Sequence, residues 1–217
     1  MTKSHKKKNL NYINVLDHPL LAHSLSIIRN KETPSNEFRR VLVEASRLMA
    51  YESSRDLKTK NITIDTPFEK IESPFISEDV TIVAVMRAGI GMLDGFMQMF
   101  PLSKVGHIGI YRDKFLNNTV EYYFRLPDDI EGNKIFLLDP LLATGATIVA
   151  AINRLKQYGA RDIRFHCILA SHSGLEILHN AHPDVSIYCL GVERTISDKG
   201  YLLPGIGDAG DRIYGTI

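Results

Sequence analysis

The residues best suited to chemistry stand in one string, Asp139-Pro140-Leu141-Leu142-Ala143-Thr144-Gly145-Ala146-Thr147, directly after the apolar run Ile135 to Leu138. An acid closes a strand, small and hydroxyl residues make a loop, and a helical pattern follows. Backbone amides at a helix N-terminus, with the Thr144 and Thr147 hydroxyls beside them, make a cradle for phosphate. Gly145 lets the backbone come close to such a ligand. Asp139 precedes a proline and is biased to extended backbone, which aims its carboxylate off the strand end. A carboxylate beside a phosphate cradle suits ribose hydroxyls or a metal ion. An ordinary strand-to-helix turn capped by threonine would account for Thr144 and Gly145 alone, but not for the whole string.

Three further strings share this setting. Arg87-Ala88-Gly89-Ile90-Gly91-Met92-Leu93-Asp94-Gly95 follows the apolar run Thr81 to Met86 and sets a cation beside a glycine turn. Its glycines approach a dinucleotide fingerprint but are spaced G-x-G-x-x-x-G. Without the other strings, Arg87 would be a surface residue before a tight turn. His107-Ile108-Gly109-Ile110-Tyr111-Arg112-Asp113 leads toward the turn signal Asn117-Asn118. Arg112 alone reads as a salt-bridged hairpin residue. The run Gly200 to Arg212 is rich in glycine and acid and shows no helix signal. It contains G-x-G-x-x-G, but too few residues remain for the βαβ unit that motif needs. It suits a loop whose backbone groups reach a flat polar ring; taken alone, a structural loop is the plainer reading.

These strings need a scaffold, and the rest of the chain supplies one. Thr33-Pro34 reads as a cap with proline at the first helical position. Phe38, Val41, Leu42, Ala45, Leu48 and Met49 then recur at helical spacing, while Arg39, Arg40, Glu44 and Arg47 fall on solvated faces. Thr81 to Met86 is a strand buried on both sides. A helix from Met92 to Phe100 and strands over Lys104 to Ile110 and Ile135 to Leu138 follow. The stripe Ile148, Ala151, Ile152 and Leu155 makes a helix ending at Gly159. Ile163 to Ala170 and Val185 to Leu190 are further strands, with a short helix from Gly174 to Asn180 between them. Strands alternating with helices predict an α/β fold around a mostly parallel central sheet flanked by helices. In such sheets ligands bind beyond the carboxyl ends of the strands, where the four strings fall. Tyr111 to Pro127 breaks the alternation and reads as a projecting β-hairpin, a flap over the site.

The first string resembles the phosphoribosyl pyrophosphate motif of type I phosphoribosyltransferases. Most of that superfamily has two adjacent acids here; D-P-x-L-A-T-G is the form of uracil phosphoribosyltransferases. The R-A-G loop, the H-I-G-x-Y-R-D string and G-Y-x-x-P-G-x-G-D-A-G-D-R resemble the same family in the same order, from about Phe38 to the C-terminus. The resemblance implies the type I phosphoribosyltransferase fold with a flap and a C-terminal base-binding loop at about 200–212. It also implies conversion of uracil and phosphoribosyl pyrophosphate to UMP and pyrophosphate in pyrimidine salvage.

The resemblance assigns the 5′-phosphate to Ala143, Thr144, Gly145, Ala146 and Thr147, with Pro140, Leu141 and Leu142 in the same binding string. Ribose hydroxyls fall to Asp139 and pyrophosphate to Arg87 and Arg112, Arg112 arriving when the flap closes. Leu202, Gly207, Asp208 and Ala209 would line uracil, with Asp208 also facing phosphoribosyl pyrophosphate. Mg²⁺ would be bound mainly through the substrate pyrophosphate. The chain departs from the family at Ala146 and Thr147, where glycine and serine are common. It departs again at Ala170-Ser171-His172-Ser173-Gly174, where relatives have A-P-E-G.

Composition narrows the alternatives. With 217 residues and 44% hydrophobic content, the chain can bury one core as a single domain. A net charge of +1 gives no global case for nucleic acid or membrane partners. That disfavours an RNA-binding regulator on the same fold, which should show a basic stripe. A purine or orotate enzyme would carry a different base loop. Cys167 and Cys189 sit in apolar runs and read as buried thiols of a reducing compartment, so a cytoplasmic location is expected. Lys3, Lys6, Lys7 and Lys8 precede no apolar segment and read as a solvated tail over about 1–9. His179-x-x-His182 lacks a third metal ligand, and no G-x-x-x-x-G-K-S/T is present. The resemblance further suggests a homo-oligomer, dimer or higher.

Overall fold

The computed structural model describes residues 13–113 and 118–216, with the side chains of 112, 113 and 118 set aside. In chain order the elements are β1 (Ile13–Val15), α1 (Pro19–Arg29), α2 (Ser35–Ser53), β2 (Thr59–Asp65), β3 (Lys70–Ile76) and β4 (Val80–Met86). Then follow α3 (Ile90–Met99), β5 (Lys104–Asp113), β6 (Asn118–Arg125), β7 (Lys134–Leu138), β8 (Leu141–Leu142) and α4 (Ala146–Gln157). The chain finishes with β9 (Asp162–Ser171), α5 (His172–Ala181), β10 (Ser186–Glu193), β11 (Thr195–Ile196), β12 (Leu202–Leu203) and α6 (Ala209–Tyr214).

The main sheet runs β1-β10-β9-β7-β4-β5-β6, with β8 paired to β9. Every pairing in it is parallel except β5 with β6. From β4 the chain passes through α3 to β5 on one side, and β7 later returns to the other side of β4. The strand order therefore reverses between β4 and β7, and such a reversal opens a crevice at the carboxyl ends. The central strands are apolar on both faces because helices cover both. One apolar layer joins the sheet to α1, α2, α3 and α6, through Ile28, Phe38, Met92 and Ile213 among others. The other joins it to α4 and α5 through Ile148, Ile152, Leu175 and Leu178. Cys167 and Cys189 are free, fully buried neighbours across β9 and β10.

Several expectations are corrected. The first helix is α1, not α2: His18 Nδ1 accepts from Leu20 N at 3.1 Å and Pro19 opens the helix. Pro34 is not the first helical residue of α2 but its cap, extended at φ −70° and ψ 157°. Thr33 does not cap α2; its hydroxyl donates to the Ile27 carbonyl at 2.7 Å and closes the end of α1. Arg39 does more than face solvent, since it donates to the Ile213 carbonyl at 2.6 Å. An unforeseen hairpin, β2 with β3, pairs only with itself and leaves Phe75 and Ile76 exposed. The strand expected to stop at Ile110 continues to Asp113, so the expected flap begins as an extension of β5, with β6 as the sheet edge. Asn117 at its turn, and the lysine tail, lie outside the described residues.

Candidate functional site

Three parallel strands deliver the site. β4 ends at Met86 and hands over to Arg87; β7 ends at Leu138 and hands over to Asp139; β9 ends at Ser171. Between them lies a cavity of about 230 Å³ lined by Ala88, Asp139, Leu141, Gly200, Tyr201, Asp208, Ala209 and Gly210. Arg87 follows a cis peptide bond with Met86 and is exposed at the rim. The turn behind it is tight: a Cβ on Gly89 would stand 2.3 Å from the Leu138 carbonyl oxygen, so only glycine lets β4 and β7 hold their loops this close.

The string after β7 is fixed by β9. The Asp139 amide donates to the His166 carbonyl at 3.2 Å, and the Pro140 carbonyl accepts from Ile168 at 2.9 Å. Leu141 and Leu142 pair with Leu169 and Ala170. Asp139 is half-buried, and its Oδ1 accepts from the Leu141 amide at 3.4 Å. Loss of water around the carboxyl pushes its pKa up to about 7, and the nearby Asp208 charge adds to the rise. Gly145 caps α4 in the left-handed region at φ 83° with no side-chain cap, so the first-turn amides, including those of Ala146 and Thr147, have no partner within the helix. The methyl group of Ala146 is accommodated because the positive φ falls on Gly145 and not on Ala146.

Ser171, at the departure from the family turn, braces this loop. Its hydroxyl donates to the Ala143 carbonyl at 2.5 Å and accepts from the Gly174 amide at 2.8 Å as the cap of α5. A Cβ on Gly174 would stand 2.3 Å from the Ala143 oxygen, so α5 and the loop before α4 are in backbone contact.

The C-terminal run differs from expectation in containing a helix, α6. Asp208 caps it, with Oδ1 accepting from the Asp211 amide at 3.0 Å. Asp208 and Ala209 line the cavity. Gly207 is exposed at φ 77°, next to them in the chain. Leu202, in β12, packs its side chain into the core and pairs with Ile196 of β11, leaving its backbone as the part near the loop. Gly200, Tyr201, Ala88 and Gly210 line the cavity without having been singled out.

Arg212 does not face the cavity as a free cation that could receive a carboxylate on the base. Its guanidinium donates to the carbonyls of Ile28, Ile206 at 3.1 Å and Asn30 at 2.7 Å, and lies 4.4 Å over the Phe38 ring. Arg29 does similar work, donating to the Gly205 carbonyl at 3.0 Å and to the buried Glu193. Neither arrangement leaves a local trace in the sequence. Arg112 sits in β5 opposite Thr119; its side chain lies outside the described residues. Among the described residues no three metal-ligating side chains gather, and His179 and His182 form no such group.

Comparison with known proteins agrees with this architecture. A family model for uracil phosphoribosyltransferase matches residues 15–216. The chain is 46% identical over 203 residues to a uracil phosphoribosyltransferase of Geobacillus sp. (strain WCH70), covering 93% of this chain and 97% of the relative. It is 44% identical over 205 residues to that of Agrobacterium fabrum, covering 94% and 98%. Among solved structures, the AQ2163 protein from Aquifex aeolicus superposes with a TM-score of 0.89 at 31% identity, over 93% of this chain and 97% of the other. A hypoxanthine phosphoribosyltransferase from Trypanosoma cruzi with bound IMP shares the fold alone, at TM-score 0.50 and 10% identity, over 73% and 75% of the two chains. A match this long, on a sheet that gathers Arg87, Asp139 and the loop from Gly200 to Gly210 at one crevice, means that the chain belongs to the uracil phosphoribosyltransferase family.

Proposed function

We propose that this chain transfers the 5-phosphoribosyl group of phosphoribosyl pyrophosphate to uracil, giving UMP and pyrophosphate. One observation carries the reading. A single cavity at the strand-order reversal joins the phosphate-loop acid, the Arg87 turn and the base loop. The bond from the anomeric carbon to pyrophosphate breaks, and its electron pair leaves with pyrophosphate. Uracil N1 bonds to that carbon, and its proton passes to the released pyrophosphate or to solvent. The reaction asks the protein for positioning and charge stabilisation more than for a nucleophile.

On this reading the first-turn amides of α4 and the Thr144 and Thr147 hydroxyls hold the 5′-phosphate. Asp139 orients the ribose hydroxyls, and Arg87 with Arg112 takes the charge that grows on pyrophosphate. Backbone groups of Gly207, Asp208 and Ala209 meet the acceptor–donor–acceptor edge of uracil. Mg²⁺ would suit the hard oxygens of Asp139 and Asp208, which would help to hold it together with the substrate pyrophosphate. Its chemistry there would be to offset charge on the leaving group. No helix among the described residues is long and apolar enough to cross a membrane. The reading takes a cytosolic location and a homo-oligomer; the exposed Phe75 and Ile76 of the β2–β3 hairpin are apolar surface that a second copy would cover.

The test is nucleotide formation from phosphoribosyl pyrophosphate and Mg²⁺ with uracil, cytosine or orotate. Cytosine reverses the donor and acceptor at two positions, and backbone sites of this kind reject such analogues by about 10⁴-fold or more. Orotate brings a carboxylate toward Asp208, with Arg212 engaged elsewhere. Comparable kcat/KM for uracil and either competitor would overturn the backbone reading of the base.

A further inference from the structure

Arg87 is 59% exposed along its side chain, yet one short helix holds it in three ways. The Tyr214 hydroxyl donates to the Arg87 carbonyl at 3.1 Å. The Arg87 guanidinium lies 5.8 Å from the centroid of the Tyr214 ring. Asp211 Oδ1 stands 3.7 Å from Arg87 Nη2 and is itself steadied by the Thr216 hydroxyl at 2.7 Å. Burial raises the Tyr214 pKa and the Arg87 charge opposes it only in part, so the phenol stays protonated and able to donate at neutral pH.

The same helix begins at the base pocket. Asp208, Ala209 and Gly210 line the cavity, and the Asp208 carboxylate caps α6. Six residues of helix span about 9 Å. The Arg212 amide bonds to the Asp208 carbonyl at 3.0 Å and the Gly215 amide to the Asp211 carbonyl at 2.7 Å, so helical backbone bonds link the cavity wall to the residues that hold Arg87. A Cβ on Gly210 would stand 3.2 Å from Asp208 Oδ1 and 3.9 Å from Arg87 Nη2, which measures how closely wall and cation approach.

We propose that Tyr214 and Asp211 are positioning residues for Arg87, and that α6 couples occupancy of the base pocket to the placement of Arg87. The proposal rests on the reading of Arg87 as a pyrophosphate-binding cation. A long side chain that must grip a departing group loses rotamer freedom as it does so; a tethered one has lost it beforehand. Asp211 steers the guanidinium through one long contact at 3.7 Å on an exposed side chain, with the remaining N–H donors directed to pyrophosphate. Coupling between base and pyrophosphate sites is reciprocal by linkage.

Tyr214→Phe keeps the ring and removes only the hydroxyl. It lowers kcat/KM for phosphoribosyl pyrophosphate by roughly three- to tenfold, the range of one hydrogen bond. It leaves the melting temperature, and the Kd for uracil alone, at wild-type values. Asp211→Asn lowers the same kcat/KM by up to about fivefold, as for an exposed pair. Because both act through Arg87, neither has a further effect in an Arg87→Ala background. Calorimetric titration of inorganic pyrophosphate with and without uracil gives a ratio of affinities that departs from one in wild type and moves toward one in Tyr214→Phe. Full additivity with Arg87→Ala overturns the proposal. So does wild-type kcat/KM in Tyr214→Phe when Arg87→Ala collapses. If Arg87→Ala itself turns over normally, the assignment of Arg87 fails first and this proposal fails with it.

Discussion

The loop from Asp139 to Thr147 is held by the strand beside it, whereas the loop from Tyr201 to Ala209 is held by an arginine 176 positions away. The first loop, proposed to hold phosphate, uses neighbouring backbone: Asp139 and Pro140 bond to β9, and Gly145 turns the chain into α4. The second loop, proposed to hold the base, has only a two-residue ladder, β11 with β12, and one six-residue helix. Arg29 and Arg212 therefore fix it to the end of α1 by gripping carbonyls on both sides of the gap. A motif with regular flanking elements carries its own support, and an irregular one borrows support from elsewhere in the chain.

The sharpest way to break this contrast is Arg29→Ala. It removes the bond to Gly205 and leaves Glu193, only 3% exposed, without its guanidinium partner. Removing one member of a buried pair costs about 3–5 kcal/mol; with Arg29 partly exposed, the lower end is expected. Urea denaturation should show that loss, and calorimetry should show uracil binding lost while phosphoribosyl pyrophosphate still binds. Normal uracil affinity in this variant would mean that the base loop supports itself. Gly145→Ala probes the other half more gently. It places a side chain at φ 83° with its Cβ 3.1 Å from the Gly174 carbonyl oxygen, which costs about 1–2 kcal/mol. The damage should appear in the KM for phosphoribosyl pyrophosphate and not in uracil binding. Equal damage to both substrates would dissolve the distinction between the halves.

Asp139→Asn gives the smallest stability effect and separates folding from function. The folded carboxyl titrates near 7, against roughly 3.9 in the unfolded chain. Between those values the folded state holds a proton that the unfolded state has released. Stability contributed by this group is therefore complete below about pH 4 and is lost as pH rises through 7. The asparagine variant lacks that slope. At pH 8 it should be more stable than the parent by about 1 kcal/mol, allowing for water in the cavity, yet bind phosphoribosyl pyrophosphate more weakly. Melting curves at pH 5 and pH 8 check the first half, and titration the second. A variant that melts early and keeps full affinity would make Asp139 a structural cap.

The same contrast explains what the sequence reveals. The phosphate half is legible because its strand, loop and helix are contiguous: an apolar run, Asp-Pro, Gly145 and a stripe from Ile148. The central strands are legible because burial on both faces writes continuous apolar runs. α6 is not, since six residues are too few to display a 3.6-residue period. α1 hides because its cap is His18 instead of serine or aspartate, although Pro19 before an apolar periodic run is a usable signal. Arg39 reads as a surface charge, and the anchoring by Arg29 and Arg212 goes unseen, because each grips backbone carbonyls, which any sequence supplies. Ser171 was visible only as a departure from the family turn; its bond to Ala143 becomes plain once α5 is seen against the phosphate loop.

The paired thiols of Cys167 and Cys189 have a practical consequence. They face each other across two interior strands, and burial raises the Cys167 thiol well above its ordinary range. A maleimide needs a thiolate and a path to it, and the folded sheet offers neither. Labelling of the intact protein therefore waits until β9 and β10 part, and its rate is a clock for that opening. Bound substrate slows the clock in proportion to how tightly it holds the folded chain. An enzyme with no other cysteine thus carries its own stopwatch for ligand occupancy, readable by mass and independent of any turnover assay.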